Sequence, residues 1–311
     1  MTKCDEFRIE AFVFRNKSFY VKRDELLDPL LSGNKYWKLY ALMQMPKERY
    51  KKVFSYGGTQ SNAMLSIAAL CHQKAWAFHY TCKPVPSYLK QQPTGNLSKA
   101  LDLGMILHEV PYDDYDCCVQ RLREQTDAKS LFIPQGGADA MAQLGVQKLA
   151  NEIQQWQQMQ HVERLNIVIP SGTGTTAYYL AQALPECRIL TTAVVGDMAY
   201  LRTQMNMLGE IPSNISILEG TKKYHFAKPY PELLAMYDDL LDAGMAFDLI
   251  YGTVMWKVLL QHYNVMQVTV LYIHSGGLLG NATMLDRYKN KGHLGKYRTS
   301  QTPLFFVHDK A

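Results

Sequence analysis

Leu165-Asn166-Ile167-Val168-Ile169-Pro170-Ser171-Gly172-Thr173-Gly174-Thr175-Thr176-Ala177-Tyr178-Tyr179-Leu180 is the stretch whose reading decides the fold. Its first six residues form an apolar run of strand length. Small residues follow as a tight turn, and an apolar helix opens at Thr175. A strand that enters a helix through glycines is the building unit of a parallel sheet wrapped by helices.

The same alternation extends outward along the chain. Short apolar runs at 52–55, 75–80, 105–110 and 131–134 read as one set of strands, and 165–170, 189–195, 215–219 and 268–274 as a second. Helical patterns lie between them at 61–72, 115–125, 141–157, 175–184, 200–208 and 232–243. Near the N-terminus, Ala11-Phe12-Val13-Phe14 and Ser18-Phe19-Tyr20-Val21 flank Arg15-Asn16-Lys17, a hairpin pattern. No internal repeat or long linker separates the sets, so the reading is α/β with two interleaved parallel-sheet lobes. Sheets of this kind bind ligands at the carboxyl ends of their strands.

The glycine loop is suited to a phosphate. Small residues let the backbone approach closely, and three threonine hydroxyls join the free N–H groups of the helix start. It is not a Walker loop, because no Gly-Lys-Ser/Thr follows. Gly172, Gly174 and Ala177 satisfy Gly-x-Gly-x-x-Ala, and Asp197 lies near the end of the next expected strand. A dinucleotide-binding oxidoreductase therefore stays open as an alternative.

Two further segments narrow the chemistry. In Ser32-Gly33-Asn34-Lys35-Tyr36-Trp37-Lys38-Leu39, Gly33 turns the chain into a helix that Ser32 or Asn34 can cap. Lys35 and Lys38 then share a face, one turn apart. One amine can become an imine nitrogen while the other faces an anion such as a cofactor phosphate. In Ser55-Tyr56-Gly57-Gly58-Thr59-Gln60-Ser61-Asn62, a strand and a glycine turn deliver a hydroxyl and an amide to a helix start whose N–H groups favour a carboxylate or phenolate. Ser and Asn are also ordinary caps, so this segment by itself leaves both readings standing. Farther along, Asp248-Leu249-Ile250-Tyr251 reads as a strand ending in a tyrosine. Leu271-Tyr272-Ile273-His274-Ser275-Gly276-Gly277 reads as a strand closing on two glycines that open a helix.

Bulk properties exclude other classes. The 311 residues carry 33 Lys and Arg against 28 Asp and Glu, a net charge of +5 without a basic cluster, so no nucleic-acid partner is expected. The six cysteines, at 4, 71, 82, 117, 118 and 187, include no CxxC pair, and the nine histidines show no HxH or HExxH spacing; no metal is expected. Without an apolar signal core or a spanning run, the expectation is a reduced, cytoplasmic setting and no membrane.

Taken in order, Lys22-Arg23-Asp24-Glu25-Leu26 with Ser32-Gly33-Asn34-Lys35, then Gly57-Gly58-x-x-Ser61-Asn62, Ile133-Pro134-x-Gly136-Gly137, Ser171-Gly172-Thr173-Gly174-Thr175, Asp248-x-x-Tyr251 and His274-Ser275-Gly276-Gly277 resemble the pyridoxal-phosphate enzymes of the tryptophan-synthase-β fold type. The nearest group is the 1-aminocyclopropane-1-carboxylate deaminase and D-cysteine desulfhydrase family, and the resemblance runs from about residue 20 to 285. It implies pyridoxal 5'-phosphate as cofactor and Lys35 as its Schiff-base lysine. It places Lys38 and Gly172, Thr173, Gly174, Thr175 and Thr176 on the phosphate, Asn62 on the ring oxygen, Ser61 in proton transfer and Tyr251 at the ring or substrate. The implied activity is a lyase or deaminase acting on a small amino acid, by β-elimination to pyruvate and ammonia or by aminocyclopropane ring opening.

The resemblance also implies a homodimer. It implies a cofactor domain of residues 1–44 plus 146–311, with a smaller α/β domain, 45–145, inserted. The chain departs from the family pattern at four places. Trp37 stands for Arg, Ala63 for His, Gly252 for the Glu or Thr that follows the tyrosine, and Val254 for a Lys. Thr253 is a candidate neutral partner for the ring nitrogen. These departures motivate a second alternative, a non-catalytic cofactor-binding homologue.

Overall fold

A computed structural model describes residues 6–124, 126–263 and 268–293. The expected hairpin is present: β1 (Ile9–Phe14) and β2 (Lys17–Lys22) pair antiparallel from Ile9↔Lys22 to Phe14↔Lys17. Arg15 and Asn16 turn it with φ of 49° and 57°, the two positive angles of a hairpin turn that follows strand twist.

The remaining elements, in chain order, are α1 (Asn34–Met43), β3 (Lys52–Tyr56), α2 (Asn62–Lys74), β4 (Ala77–Cys82), α3 (Ser87–Gln91), α4 (Gly95–Asp102), β5 (Ile106–Glu109), α5 (Tyr115–Glu124) and β6 (Ser130–Phe132). There follow α6 (Ala142–Met159), β7 (Leu165–Val168), α7 (Thr175–Ala183), β8 (Arg188–Thr191), α8 (Met198–Asn206), β9 (Ile215–Ile217), α9 (Pro231–Asp242), α10 (Gly252–His262), β10 (Thr269–Ile273) and α11 (Gly280–Asn290).

The strands form two sheets, ordered β1-β2-β10-β7-β8-β9 and β5-β4-β3-β6. Every pairing except β1 with β2 is parallel. In the larger sheet β10 lies between β2 and β7, with Leu271 opposite both Tyr20 and Ile167. The beginning and end of the described chain are thus neighbours, which brings α1 and the exit of β10 to one place.

Apolar side chains cover both faces of this sheet. Trp37, Leu149, Ile153, Ile167, Leu180 and Leu271 belong to one core. Phe12, Phe19, Phe247, Trp256 and Tyr272 belong to the other, with the Trp256 and Tyr272 rings stacked at 4.7 Å. The smaller sheet has its own core of Val53, Met64, Ile67, Phe78 and Leu97.

Each expected strand exists, mostly shortened at its ends, with one exception. Residues 248–251 form no strand. The Asp248 carboxylate accepts the N–H groups of Ile250 at 3.1 Å, Tyr251 at 2.6 Å and Gly252 at 2.9 Å. An aspartate that takes up these amides turns the chain into a helix, so Tyr251 stands at the start of α10. Helices α3, α4 and α10 were absent from the sequence reading. Cys4 and Gln125 lie outside the described residues.

Candidate active site

A cavity of about 490 Å³ opens between the two sheets. It lies in the size range of small-molecule sites. Its wall is built from loops at the carboxyl ends of strands in both sheets. After β3 come Gly58, Gln60, Ser61 and Asn62; after β6, Gln135 and Gly136; after β7, residues 170–176; after β10, Ser275 and Gly277. From the helices come Lys35 and Lys38 of α1, Tyr251 before α10, and Thr283 and Arg287 of α11.

Gly33 at φ 59° provides the entry to α1, and neither Ser32 nor Asn34 caps that helix. Their side chains are used elsewhere. The Ser32 hydroxyl accepts from the N–H of Gly277 at 3.3 Å, and the Asn34 amide reaches the Thr176 hydroxyl at 3.5 Å. The Asn34 carbonyl oxygen accepts from Lys35 Nζ at 2.8 Å, which holds the lysine against the cavity.

Lys35 is open to the cavity and otherwise enclosed. Burial lowers its pKa to about 8, against a smaller upward pull from the Asp248 carboxylate. One turn on, Lys38 is 6% exposed and donates to the Gly136 carbonyl at 3.0 Å. Burial, and then the charge of Lys35, hold the Lys38 pKa well below the ordinary lysine value. The two amines therefore share one wall, as their spacing predicted.

The glycine loop lines the same cavity. Gly174, at φ 75°, turns the chain into α7, whose first residues Thr175 and Thr176 are buried. The Thr173 and Thr175 hydroxyls lie 2.9 Å apart. A Cβ on Gly172 would come within 3.4 Å of the Tyr251 hydroxyl, so its backbone stays bare toward the cavity. Bare backbone, hydroxyls, the free first-turn N–H groups of α7 and a buried amine together form a donor set for a phosphate.

Ser61 caps α2, its oxygen accepting from the N–H of Met64 at 3.3 Å. Asn62 accepts from the Asn96 amide at 2.8 Å, leaving its own amide nitrogen near Gly277. The Tyr251 side chain lies between Gly172 and Phe226, whose ring is 5.8 Å from its own. Burial pushes the Tyr251 hydroxyl pKa upward, with Asp248 adding to the effect. All the candidate residues named from the sequence, Lys35, Lys38, Ser61, Asn62, Gly172, Thr173, Gly174, Thr175, Thr176 and Tyr251, line this one cavity.

Sequence reasoning missed Gln60, Thr283, Arg287 and the turn-forming Asp248. Gln60 was on the quoted motif, but its anchoring by the Asn96 N–H at 3.0 Å and the Thr283 hydroxyl at 3.3 Å is a long-range matter. Arg287 sits on a helix that no motif marked. Asp197, the acidic residue of the dinucleotide alternative, is exposed, caps α8 through the N–H of Tyr200 at 3.0 Å and lies outside the cavity wall. Among the described residues no group of three or more His, Cys, Asp or Glu could hold a metal, and no helix is long and apolar enough to cross a membrane.

No family model matches the chain. It is 26% identical over 290 residues to a Thermotoga maritima protein provisionally named 1-aminocyclopropane-1-carboxylate deaminase, covering 85% of this chain and 89% of that one. It is 22% identical over 326 residues to an Oryza sativa subsp. japonica protein provisionally named D-cysteine desulfhydrase 2, mitochondrial, covering 88% and 80%. The solved structure of an ACC deaminase homologue superimposes with a TM-score of 0.69 at 19% identity, over 90% of this chain and 93% of the other. The resemblance drawn from the ordered motifs thus extends over most of the chain, and the fold is the tryptophan-synthase-β type that the motifs implied.

Proposed function

We propose that this chain is a pyridoxal-phosphate-dependent lyase or deaminase of small amino acids. The observation that carries the reading is that Lys35, Lys38, residues 172–176, Ser61 and Asn62 all line one cavity, with Asn34 beside Lys35 reaching Thr176 at 3.5 Å. Pyridoxal phosphate in this cavity would supply an aldehyde for a lysine and an electron sink for a carbanion.

The residues present fit that group. Lys38 and the start of α7 would hold its phosphate. Burial, and then the charge of Lys35, lower the Lys38 pKa, and a phosphate beside it would raise it again. Asn62 and Tyr251 would hold the ring, Asn62 braced by Asn96 and Tyr251 packed against Phe226. The first turn of α2 offers N–H groups to an amino-acid carboxylate.

Lys35 is the base. At a pKa of about 8 a useful fraction of its amine is neutral near pH 7, and it takes the proton from the substrate α-carbon. The Ser61 hydroxyl, held at the start of α2 by the Met64 N–H, is the group that would pass a proton toward the substrate.

The departures from the family pattern bear on which substrate is used. Neither Trp37 nor Gly252 lines the cavity, whereas Ala63 does. With no carboxylate at position 252, β-elimination of the D-cysteine kind is favoured over cyclopropane opening. We divide the chain into a cofactor domain, 1–44 plus 146–311, and an inserted domain, 45–145, which holds β3 to β6. We further propose a cytoplasmic homodimer, an assembly that light scattering would test.

The experiment is the visible spectrum of the purified protein with pyridoxal phosphate, before and after D-cysteine, with pyruvate assayed. A lysine-bound cofactor band that shifts as pyruvate forms supports the reading, and Lys35→Ala should abolish both. Full activity in Lys35→Ala would sink it.

A further inference from the structure

We propose that Arg287 recognises an anionic group on the substrate side chain, so that this site selects amino acids bearing a second negative charge besides the α-carboxylate. The inference rests on the reading of the cavity as a cofactor and amino-acid site, and goes beyond it by naming the substrate class.

Arg287 lies on α11 four residues after Thr283, hence on the same helix face, and both line the cavity. Thr283 is bonded to Gln60, beside Ser61 and Asn62. One turn farther on, a guanidinium nitrogen of Arg287 donates to the Ala227 carbonyl at 2.9 Å. Ala227 has φ 54°, uncommon for a residue with a Cβ, and Phe226 beside it packs on Tyr251. The contact fixes the guanidinium between α11 and the 224–228 segment, partly buried, with its other N–H groups uncommitted among the described residues.

The charge inventory of the wall is lopsided. Among the described residues its cations are Lys35, Lys38 and Arg287, and its one carboxylate is Asp248. Both oxygens of Asp248 are taken by the N–H groups of Ile250, Tyr251 and Gly252. Among the described residues no carboxylate forms an ion pair with Arg287. A phosphate accounts for Lys38, the reacting amine for Lys35, and the α2 start for an α-carboxylate. Arg287 is the cation left over. Its planar fork of donors matches carboxylate or phosphate oxygens in pairs, and such charge-assisted bonds are among the stronger polar contacts.

The test is a spectral titration of the cofactor-loaded protein with three matched pairs, aspartate and asparagine, glutamate and glutamine, O-phosphoserine and serine, as both enantiomers. Wild type should bind at least one anionic member about tenfold more tightly than its neutral partner. In Arg287→Gln that preference should fall to about one, with the neutral member bound as before and the cofactor band unchanged. No preference in any wild-type pair overturns the proposal, and this arm does not depend on the variant folding. A preference that survives in Arg287→Gln overturns it as well. Equal weakening of both members would assign Arg287 to the α-carboxylate instead. A wild-type protein that takes up no cofactor would fail the functional reading and this proposal together, whereas a normal band without discrimination fails the proposal alone.

Discussion

The indole N–H of Trp37 donates to the buried carboxylate of Asp24 at 2.9 Å. Asp24 also lies 3.2 Å from Lys22 Nζ, which in turn lies 2.8 Å from Glu152. Trp37 therefore belongs to a buried polar network beneath α1 rather than to the cavity. Where the family pattern has Arg, this chain places an indole donor on a buried acid. This departure lies outside the cavity wall.

Trp37→Phe preserves the ring and removes the donor. It should cost about 1–3 kcal/mol, because one oxygen of a fully buried carboxylate loses its partner. Chemical denaturation measures that loss. Turnover per folded molecule should be unchanged, since Trp37 touches no part of the cavity.

Gly252, another departure, is held by packing. A Cβ there would lie 2.9 Å from the Phe247 Cβ and 3.1 Å from an Asp248 oxygen. Phe247 is 1% exposed and enclosed by Trp256, Tyr272 and His274. Gly252→Glu should destabilise the protein by about 1–3 kcal/mol, the usual cost of overpacking. It should bring no gain in aminocyclopropane ring opening, because the turn around Asp248 must shift to admit the side chain. A stable variant that opens the ring would contradict this.

The parts of the fold that were legible in the sequence are those fixed by local chemistry. The 165–180 strand, loop and helix is a continuous pattern, and Arg15-Asn16 is a local turn. The strand expected at 248–251 was misread because Leu249, Ile250 and Tyr251 are apolar enough for a strand. What overrides them is the Asp248 carboxylate binding three successive amides, a side-chain effect that apolar periodicity does not register. Helices α4 and α10 carry glycine at their first positions, so their starts resemble loops. The motif residues of the site were readable one by one, whereas Arg287 became visible only when α11 was placed across from Gln60.

Lys35 gives the site a pH signature. Its pKa, lowered to about 8 in the folded protein, is near 10.4 in an unfolded chain. Between these values the unfolded state binds a proton that the folded state does not, so stability of the cofactor-free protein rises with pH across that window. Below about pH 8 both states are protonated and the penalty is complete. Lys35→Met should remove this rise, read as the difference between the two melting-temperature profiles from pH 7 to 10. Cofactor uptake by the wild type, which needs the neutral amine, should accelerate toward a plateau above about pH 8.

Gly33 tests the junction that brings Lys35 into the cavity. Its backbone has φ 59°, and an added Cβ would lie 2.1 Å from the Ser275 carbonyl carbon and 2.4 Å from the Gly276 nitrogen. Both obstacles are backbone at the exit of β10, which sits mid-sheet between β2 and β7 and cannot yield as a flexible side chain would. Gly33→Ala thus combines a left-handed backbone cost of about 1 kcal/mol with overpacking of about 1–3 kcal/mol. The chain can relieve the overlap by moving the start of α1 away from β10, and Lys35 moves with it. The variant should therefore lose stability and also take up pyridoxal phosphate more slowly at a temperature where it remains folded. Trp37→Phe, destabilised to a similar degree but outside the cavity wall, serves as the control. If the two variants took up cofactor equally well, Gly33 would be a residue of stability alone.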